Sequence, residues 1–334
     1  MARESKKSIG PARTVQITIT DFFQIENVER FQMVGSAWAS YGSGNNNLNY
    51  PHGLAVLPPG GTEVWVADTQ NNRIARFDSD GVWQGSFGSV GTGNGEFQVP
   101  RDLAISAAGY CYVADFDNDR IQRFNSSTYA YDSQWSTGAN SEPNGVYYDE
   151  INARVYVACY NGQAIKVYST TGTLLDTWTL TYRPLDVAVS ADGQHVFVSS
   201  NTALIRYNNA GNMDGTVGEL NMPVVADKYV GVDTAGHVYA LDGGGKGSIL
   251  KFMKDGTFIS AFGSNGTGNV QWTQCKGFVR FERYVYVSDW GGHRILKLRP
   301  TYRGNGTVFK IDNDGRIQYT GNLVQADVDS IVSA

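Results

Sequence analysis

The chain is predicted to be all-β and to fold as a six-bladed β-propeller with four-stranded antiparallel blades, on three observations. First, the phrase VWVADTQNNRIARF (Val64 to Phe77) returns as CYVADFDNDRIQRF (Cys111 to Phe124) and, more loosely, as VYVSDWGGHRILKL (Val285 to Leu298). Second, weaker copies lie between these. The positions matching Asp68 fall at Asp115, Cys159, Ser200, Asp242 and Asp289, in steps of 47, 44, 41, 42 and 47 residues. Third, each copy holds four short apolar runs rich in Val, Ile and aromatics and bounded by turn residues, which is the signature of strands and not of helices. Four short strands repeated six times at this spacing predict small radial sheets around a central channel.

Taken in chain order, residues 1–29 form an amino-terminal tail in which TVQITIT (Thr14 to Thr20) alternates strictly and predicts an extra strand. The propeller is expected over 30–298. Its first segment, RFQMVGSAWASYGS (Arg30 to Ser43), aligns with RFDSDGVWQGSFGS (Arg76 to Ser89), so Tyr41 is matched to Phe87. It is expected to supply the outer end of the last blade, whose inner three strands come from Cys275 to Leu298; this closes the ring and removes exposed sheet edges. The repeats open on Pro51, Pro100, Pro143, Pro184 and Pro223, with Cys275 in the sixth. The inner strand that follows is small at its middle in Ala55, Ala104, Ala188 and Gly231, as six strands crowding an axis require. The second strands are nearly continuous apolar runs, the pattern of a sheet buried on both faces. Residues 299–334 form a carboxy-terminal tail with a hairpin expected about Asp314-Gly315. The tails either extend the closing blade or pair with a neighbouring subunit by strand addition.

The combination of Pro-x-Gly-(apolar), V-x-V-A-D, N-x-R-I-x-(R/K)-F, D-G-x-F and a terminal Phe-Gly resembles the NHL repeat. The resemblance covers residues 30 to 298, strongest in repeats one, two and six; repeats three and four depart from it at Cys159 and Ser200. It implies a six-bladed propeller and leaves function open, because this fold hosts binding modules and enzymes alike.

The net charge is −5 with only 18% charged residues. That balance argues against a nucleic-acid partner, since phosphate contacts need clustered Lys and Arg. The leading MARESKKSIGPARTVQ is polar and basic without an apolar core of signal-peptide length, and no stretch approaches the ~18 apolar residues of a membrane span. No membrane association is expected. The expected location is the cytoplasm or an assembled virion, and outside the cell only by a route without a Sec signal. Cys111, Cys159 and Cys275 contain no C-x-x-C, and buried free thiols are expected of the second-strand pair.

Catalytic motifs are absent: there is no G-x-S-x-G, H-E-x-x-H, Walker sequence or dinucleotide fingerprint. Asp115, Asp117 and Asp119 are spaced like the start of a calcium loop, but Arg120 stands where Gly is required. Asp115 and Arg120 instead match Asp68 with Arg73 and Asp289 with Arg294, a pairing expected to brace the loop. Some six-bladed relatives are metal enzymes, and a zinc site would want about three histidines. His195 and His237 precede second strands, on the face opposite the channel mouth, so three histidines cannot meet there. No resident cofactor is expected; an axial calcium or zinc is the alternative.

The informative positions are those where the repeats differ. The residue after each opening proline should face the channel mouth, giving His52, Arg101, Asn144, Leu185, Lys228 and Lys276, with Asp102 and Asp186 next in line. Trp290 and His293 lie on loops over the same face. Three cations and a histidine suit an anionic group; pairing of Arg101 and Lys276 with the aspartates is the structural alternative. The expected function is a non-enzymatic binding or scaffold protein, plausibly a structural component of a virion or extracellular assembly, that presents this face to a protein or glycan partner. The second reading is a metal-assisted lyase or hydrolase using His52, Asn144, Asp102 and Asp186.

Overall fold

The strand pattern is realised in a computed structural model, which describes residues 29–58, 60–217, 228–242, 247–281, 284–302, 307–311 and 317–322. The chain divides into a large compact unit, Arg30–Thr301, and a small one made of 1–29 and 302–334. In the small unit Thr307–Ile311 pairs antiparallel with Ile317–Asn322. The hairpin turn at Asp314-Gly315 and the alternating run Thr14 to Thr20 lie outside the described residues.

The large unit is a six-bladed propeller of four-stranded antiparallel sheets. Blade one consists of Pro51–Val56, Glu63–Asp68, Arg73–Asp78 and Trp83–Phe87. Blade two runs from Pro100–Ile105 through Tyr110–Asp115 and Arg120–Asn125 to Tyr131–Ser136. Blades three and four follow the same order from Pro143–Asp149 and Pro184–Val189, and blade five from Lys228–Val232. In blade six the order from the axis outward is Cys275–Phe281, Tyr284–Asp289, Arg294–Tyr302 and then Glu29–Met33 from the amino-terminal end.

Why these residues build wedges is visible in the register of the two innermost strands. Ala55 faces Trp65, Ala104 faces Tyr112, Ala188 faces Phe197, Gly231 faces Tyr239 and Val279 faces Tyr286. A small or β-branched residue at the axis followed by a buried aromatic one strand farther out fills the taper of these five blades, while blade three sets Tyr147 opposite Tyr156. The apolar core is accordingly distributed as clusters shared between neighbouring blades. One joins Val64 and Val66 of blade one to Tyr286 and Ile295 of blade six, and another joins Tyr239 and Leu241 of blade five to Val285 and Val287 of blade six.

Two expectations are corrected by the register. Trp38 and Ile295 exchange backbone hydrogen bonds of 2.9 and 3.0 Å, the position Phe87 holds opposite Ile74 in blade one. The amino-terminal segment therefore matches blade one three residues earlier than its sequence suggests, with Trp38 and not Tyr41 at the Phe87 position. The sequence alignment was drawn to the Ser-aromatic-Gly-Ser phrase, but the structure places Ser40-Tyr41 in the short parallel bridge that Ser89-Val90 makes in the next blade. The second correction concerns Lys228. It stands opposite Asp242, the place Pro51, Pro100, Pro143 and Pro184 hold in their blades, and Tyr229 takes the next position. Blades one to four and six carry a register shift just after this point, whereas blade five runs without one, and the position expected at Lys228 is one residue later, at Tyr229. Pro223 itself lies outside the described residues.

Among the described residues no helix is long and apolar enough to cross a membrane.

Candidate functional site

The mouth is built first by its loops. In blades one, two and six the second strand ends in a fully buried aspartate, and the third begins with an arginine five residues later. Asp68 pairs with Arg73 at 2.7 Å, Asp115 with Arg120 at 2.7 Å and Asp289 with Arg294 at 2.9 Å. Each arginine also donates to carbonyls of the glycine-rich loop entering its blade: Gly44 and Asn47, Gly93 and Glu96, Thr267 and Gln271. Each aspartate accepts backbone N–H groups from the same loop, at Asn49, Gln98 and Thr273. Asp115 is thus a loop brace, as its match to Asp68 and Asp289 predicts. Burial pushes the Asp68 and Asp115 carboxyls up, against the opposing pull of these hydrogen bonds and of the arginines.

Inside this rim lies a cup of about 540 Å³, whose wall includes His52, Arg101, Phe116, Glu142, Tyr160, Leu185, Tyr229, Lys276 and Trp290. Five residues chosen from the sequence, His52, Arg101, Leu185, Lys276 and Trp290, line it. The Arg101 guanidinium lies 3.3 Å from the Phe116 ring centroid, and the Lys276 ammonium 5.1 Å from that of Tyr229 and 6.0 Å from that of Trp290. Arg101 forms no ion pair with any described residue; its guanidinium donates to Asn144 Oδ1 at 2.5 Å, and the Asn144 amide donates in turn to the Leu185 carbonyl. One hydrogen-bonded chain therefore links blades two, three and four beneath the cup.

His52 is only 5% exposed and shares a hydrogen bond of 3.1 Å with the Tyr229 hydroxyl, joining blades one and five. Burial, then Arg101 and Lys276, hold its imidazole well below the usual histidine range, so it is neutral. Its Nδ1 has no hydrogen bond of normal geometry, although the Arg101 backbone weakly opposes the fall.

Asp102 and Asp186 lie one level deeper, in a channel cavity of about 320 Å³, and not in the cup. Asp102 accepts from Val146 N–H at 2.8 Å; Asp186 accepts from Val187 N–H at 2.8 Å and from Val230 N–H at 3.0 Å. Neighbouring glycines make the room: a Cβ on Gly53 would overlap the Asp102 carboxyl, and one on Gly145 the Asp186 carboxyl. Burial pushes both carboxyls up, Asp186 to about 7, and the presence of Asp186 raises Asp102 further.

His293 sits outside the cup. Its Nδ1 accepts the Tyr50 N–H at 3.1 Å, and its ring packs on Tyr41 and Tyr50. The side chain of Lys228 lies outside the described residues. On the far side, His195 contacts Asp214 and His237 contacts Asp233, as positions before second strands dictate. Cys111, Cys159 and Cys275 are all buried.

The set His52, Asn144, Asp102 and Asp186 does not present a shared coordination sphere. Their polar atoms are turned to Tyr229, Arg101, the Leu185 carbonyl and strand N–H groups, and no described cluster of three His, Cys, Asp or Glu can hold a metal ion. Sequence reasoning missed Tyr229, Tyr160 and Glu142. Tyr229 left no signal in the spacing, because the distance from the opening residue of a blade to its Asp68 position varies from 14 residues in blade six to 17 in blade one.

The NHL repeat family matches residues 48–77. Curated relatives are NHL repeat-containing protein 3 of Mus musculus and of Homo sapiens, 26% and 25% identical over 130 residues, covering 38% of this chain and 38% of each relative. The matched stretch thus spans little more than a third of the relatives' length. Among solved structures, a streptogramin B lyase superposes with a TM-score of 0.57 at 16% identity, over 90% of this chain and 89% of its own. A catalytically inactive virginiamycin B lyase from Staphylococcus aureus with quinupristin gives 0.58 at 15%, over 89% and 90%. A structural-genomics protein from Bacteroides thetaiotaomicron gives 0.64 at 13%, over 82% and 76%. At these identities the structural likeness is one of fold.

Proposed function

We propose that this six-bladed NHL-repeat propeller is a binding module whose mouth face receives a protein or glycan partner, with the cup as the point of contact. The observation that carries the reading is the pair of cations set over aromatic rings in the wall of an open cup, above an imidazole and an amide already bonded within the protein. Amphipathic aromatics and arginine are the residues interfaces favour. The inward-turned donors beneath them favour binding over catalysis. The lyases of similar fold add nothing to this reading, because at 16% and 15% identity the likeness is one of fold.

The test is site-specific photo-cross-linking in an extract of the native source, with the probe at Gln70 on the cup wall or at the exposed Leu174 on the outer strand of blade three. Adducts are expected from Gln70 only, and Trp290→Ala should reduce them about tenfold. Equal adducts from Leu174, or indifference to Trp290→Ala, would remove the mouth face from consideration.

A further inference from the structure

We infer that the seam where blade six meets blade one carries an acid-released clasp, in which neutral His293 holds Tyr50 in place and protonation of its imidazole lets it go. The clasp stands whether or not the mouth binds a partner.

The clasp recurs around the ring, and the repeats show what it does. Asn72, Asp119 and His293 each stand just before the third strand of their blade in the left-handed region, with φ of 52°, 52° and 53°. Each side chain accepts a backbone N–H from the residue that precedes the next blade's inner strand: Asn72 Oδ1 from Val99 at 2.9 Å, Asp119 Oδ1 from Glu142 at 2.8 Å and His293 Nδ1 from Tyr50 at 3.1 Å. Val99, Glu142 and Tyr50 are left-handed in their turn, with φ of 56°, 52° and 53°. A residue other than glycine keeps so sparsely populated a conformation only where its surroundings hold it. One side chain therefore fixes one strained entry at each of these seams, between blades one and two, two and three, and six and one.

The seam between blades six and one differs in its acceptor. An imidazole accepts only while Nδ1 is unprotonated, and it is the side chain whose charge ordinarily changes between pH 5 and 8. A proton on Nδ1 sets one donor against another, and the Tyr50 N–H loses its acceptor. The groups facing His293 set the direction. From the entry loop, the Tyr41 and Tyr50 rings pack on the imidazole with centroids 4.7 and 4.5 Å away. From the ends of the second strands, Asp289 and Asp68 favour the charged ring, but each is held by its own arginine, Arg294 and Arg73. Burial outweighs them and holds the imidazole below the usual histidine range, so the clasp is closed at pH 7. With the folded pKa below the unfolded one, the unfolded chain binds more protons in mild acid; the clasp contributes fully above about pH 6.5 and is lost as pH falls through the folded value. Tyr50 also packs on Trp290 in the cup wall, ring centroids 4.3 Å apart, so release reaches the mouth.

The experiment is amide hydrogen exchange with imidazole NMR on the full chain, from about pH 7.5 down to about pH 4.5, with rates corrected for the intrinsic effect of pH. The Tyr50 amide should lose at least about tenfold in protection, with the midpoint of the His293 titration, while Val99, held by Asn72, keeps its protection. His293→Asn gives this seam the acceptor of the seam between blades one and two, and should leave Tyr50 protected throughout the range. The variant also separates the effect of His52, two residues after Tyr50, whose imidazole is held well below the usual range by burial and then by Arg101 and Lys276. Constant protection of Tyr50 in the unaltered chain, an equal loss at Val99, or a loss that survives His293→Asn would each overturn the inference. The comparison of Tyr50 with Val99 needs no variant and decides the matter if His293→Asn does not fold. No ligand enters the measurement, so its outcome is independent of the cross-linking at Gln70.

Discussion

Two sets of aspartates divide this molecule, one fully buried at the rim and one half-buried on the axis. On the rim, Asp68, Asp115 and Asp289 each hold an arginine within 3 Å and draw a glycine-rich loop over the blade. On the axis, Asp102 and Asp186 are half-buried in the channel wall and accept only from strand N–H groups. The rim carboxylates organise loops. The axial carboxyls are pushed toward the neutral form, and protons rather than cations offset their burial. Blades three and four show what the rim looks like without the brace. Cys159 and Ser200 replace the aspartates, Ala164 faces Cys159 and Leu204 faces Ser199 across their hairpins, and the loop into blade three is held instead by Asp119, which accepts from Asn140 and Glu142 N–H groups. The braced half supplies Trp290, Phe116 and Arg101 to the cup; the unbraced half supplies Tyr160 and Leu185.

The sharpest way to break the contrast is to remove a rim carboxylate. Asp115→Ala leaves Arg120 buried without its counter-charge and Gln98 N–H without its acceptor, and should cost about 3–5 kcal/mol in urea unfolding. A loss below about 1 kcal/mol would place the brace with ordinary surface ion pairs.

The axial pair predicts a pH dependence of defined sign. A carboxyl whose folded pKa lies above its unfolded value binds more protons when folded, so stability rises as pH falls from about 7 toward 4, and is lost in the reverse direction. Asp186→Asn should remove on the order of 2 kcal/mol of the difference between the unfolding free energies at pH 8 and pH 5. An unchanged difference would show that folding does not raise the Asp186 carboxyl.

The smallest effect separates the two regions by space alone. Gly145→Ala places a methyl group against the backbone and carboxyl of Asp186 and should cost about 1–3 kcal/mol. On the rim, Gly93→Ala meets only the far end of the Glu96 side chain at 3.0 Å and should cost under about 1 kcal/mol, read as a difference in melting temperature. Equal losses would mean that the axis is no tighter than the rim.

The ease with which each feature could be read from the sequence follows the range of its contacts. Asp68 and Arg73 are five residues apart on one hairpin, so the repeat writes the brace out in full. The inner-strand register failed at Lys228 because a one-residue difference in strand entry has no local signature. The closing segment failed by three residues because the match was made on a phrase whose counterpart in blade one belongs partly to a strand and partly to a bridge.

The sequence by itself therefore determined the blade count, the strand order, the wedge of small and aromatic residues, and the braced loops, since each depends on contacts within one repeat or with the next. Only the tertiary structure decided the contents of the cup and the axis. Arg101 meets Asn144, His52 meets Tyr229, and Asp102 acts on Asp186 because the ring brings inner strands from different blades together. The spacing along the chain carries no record of which residues face one another across a closed ring.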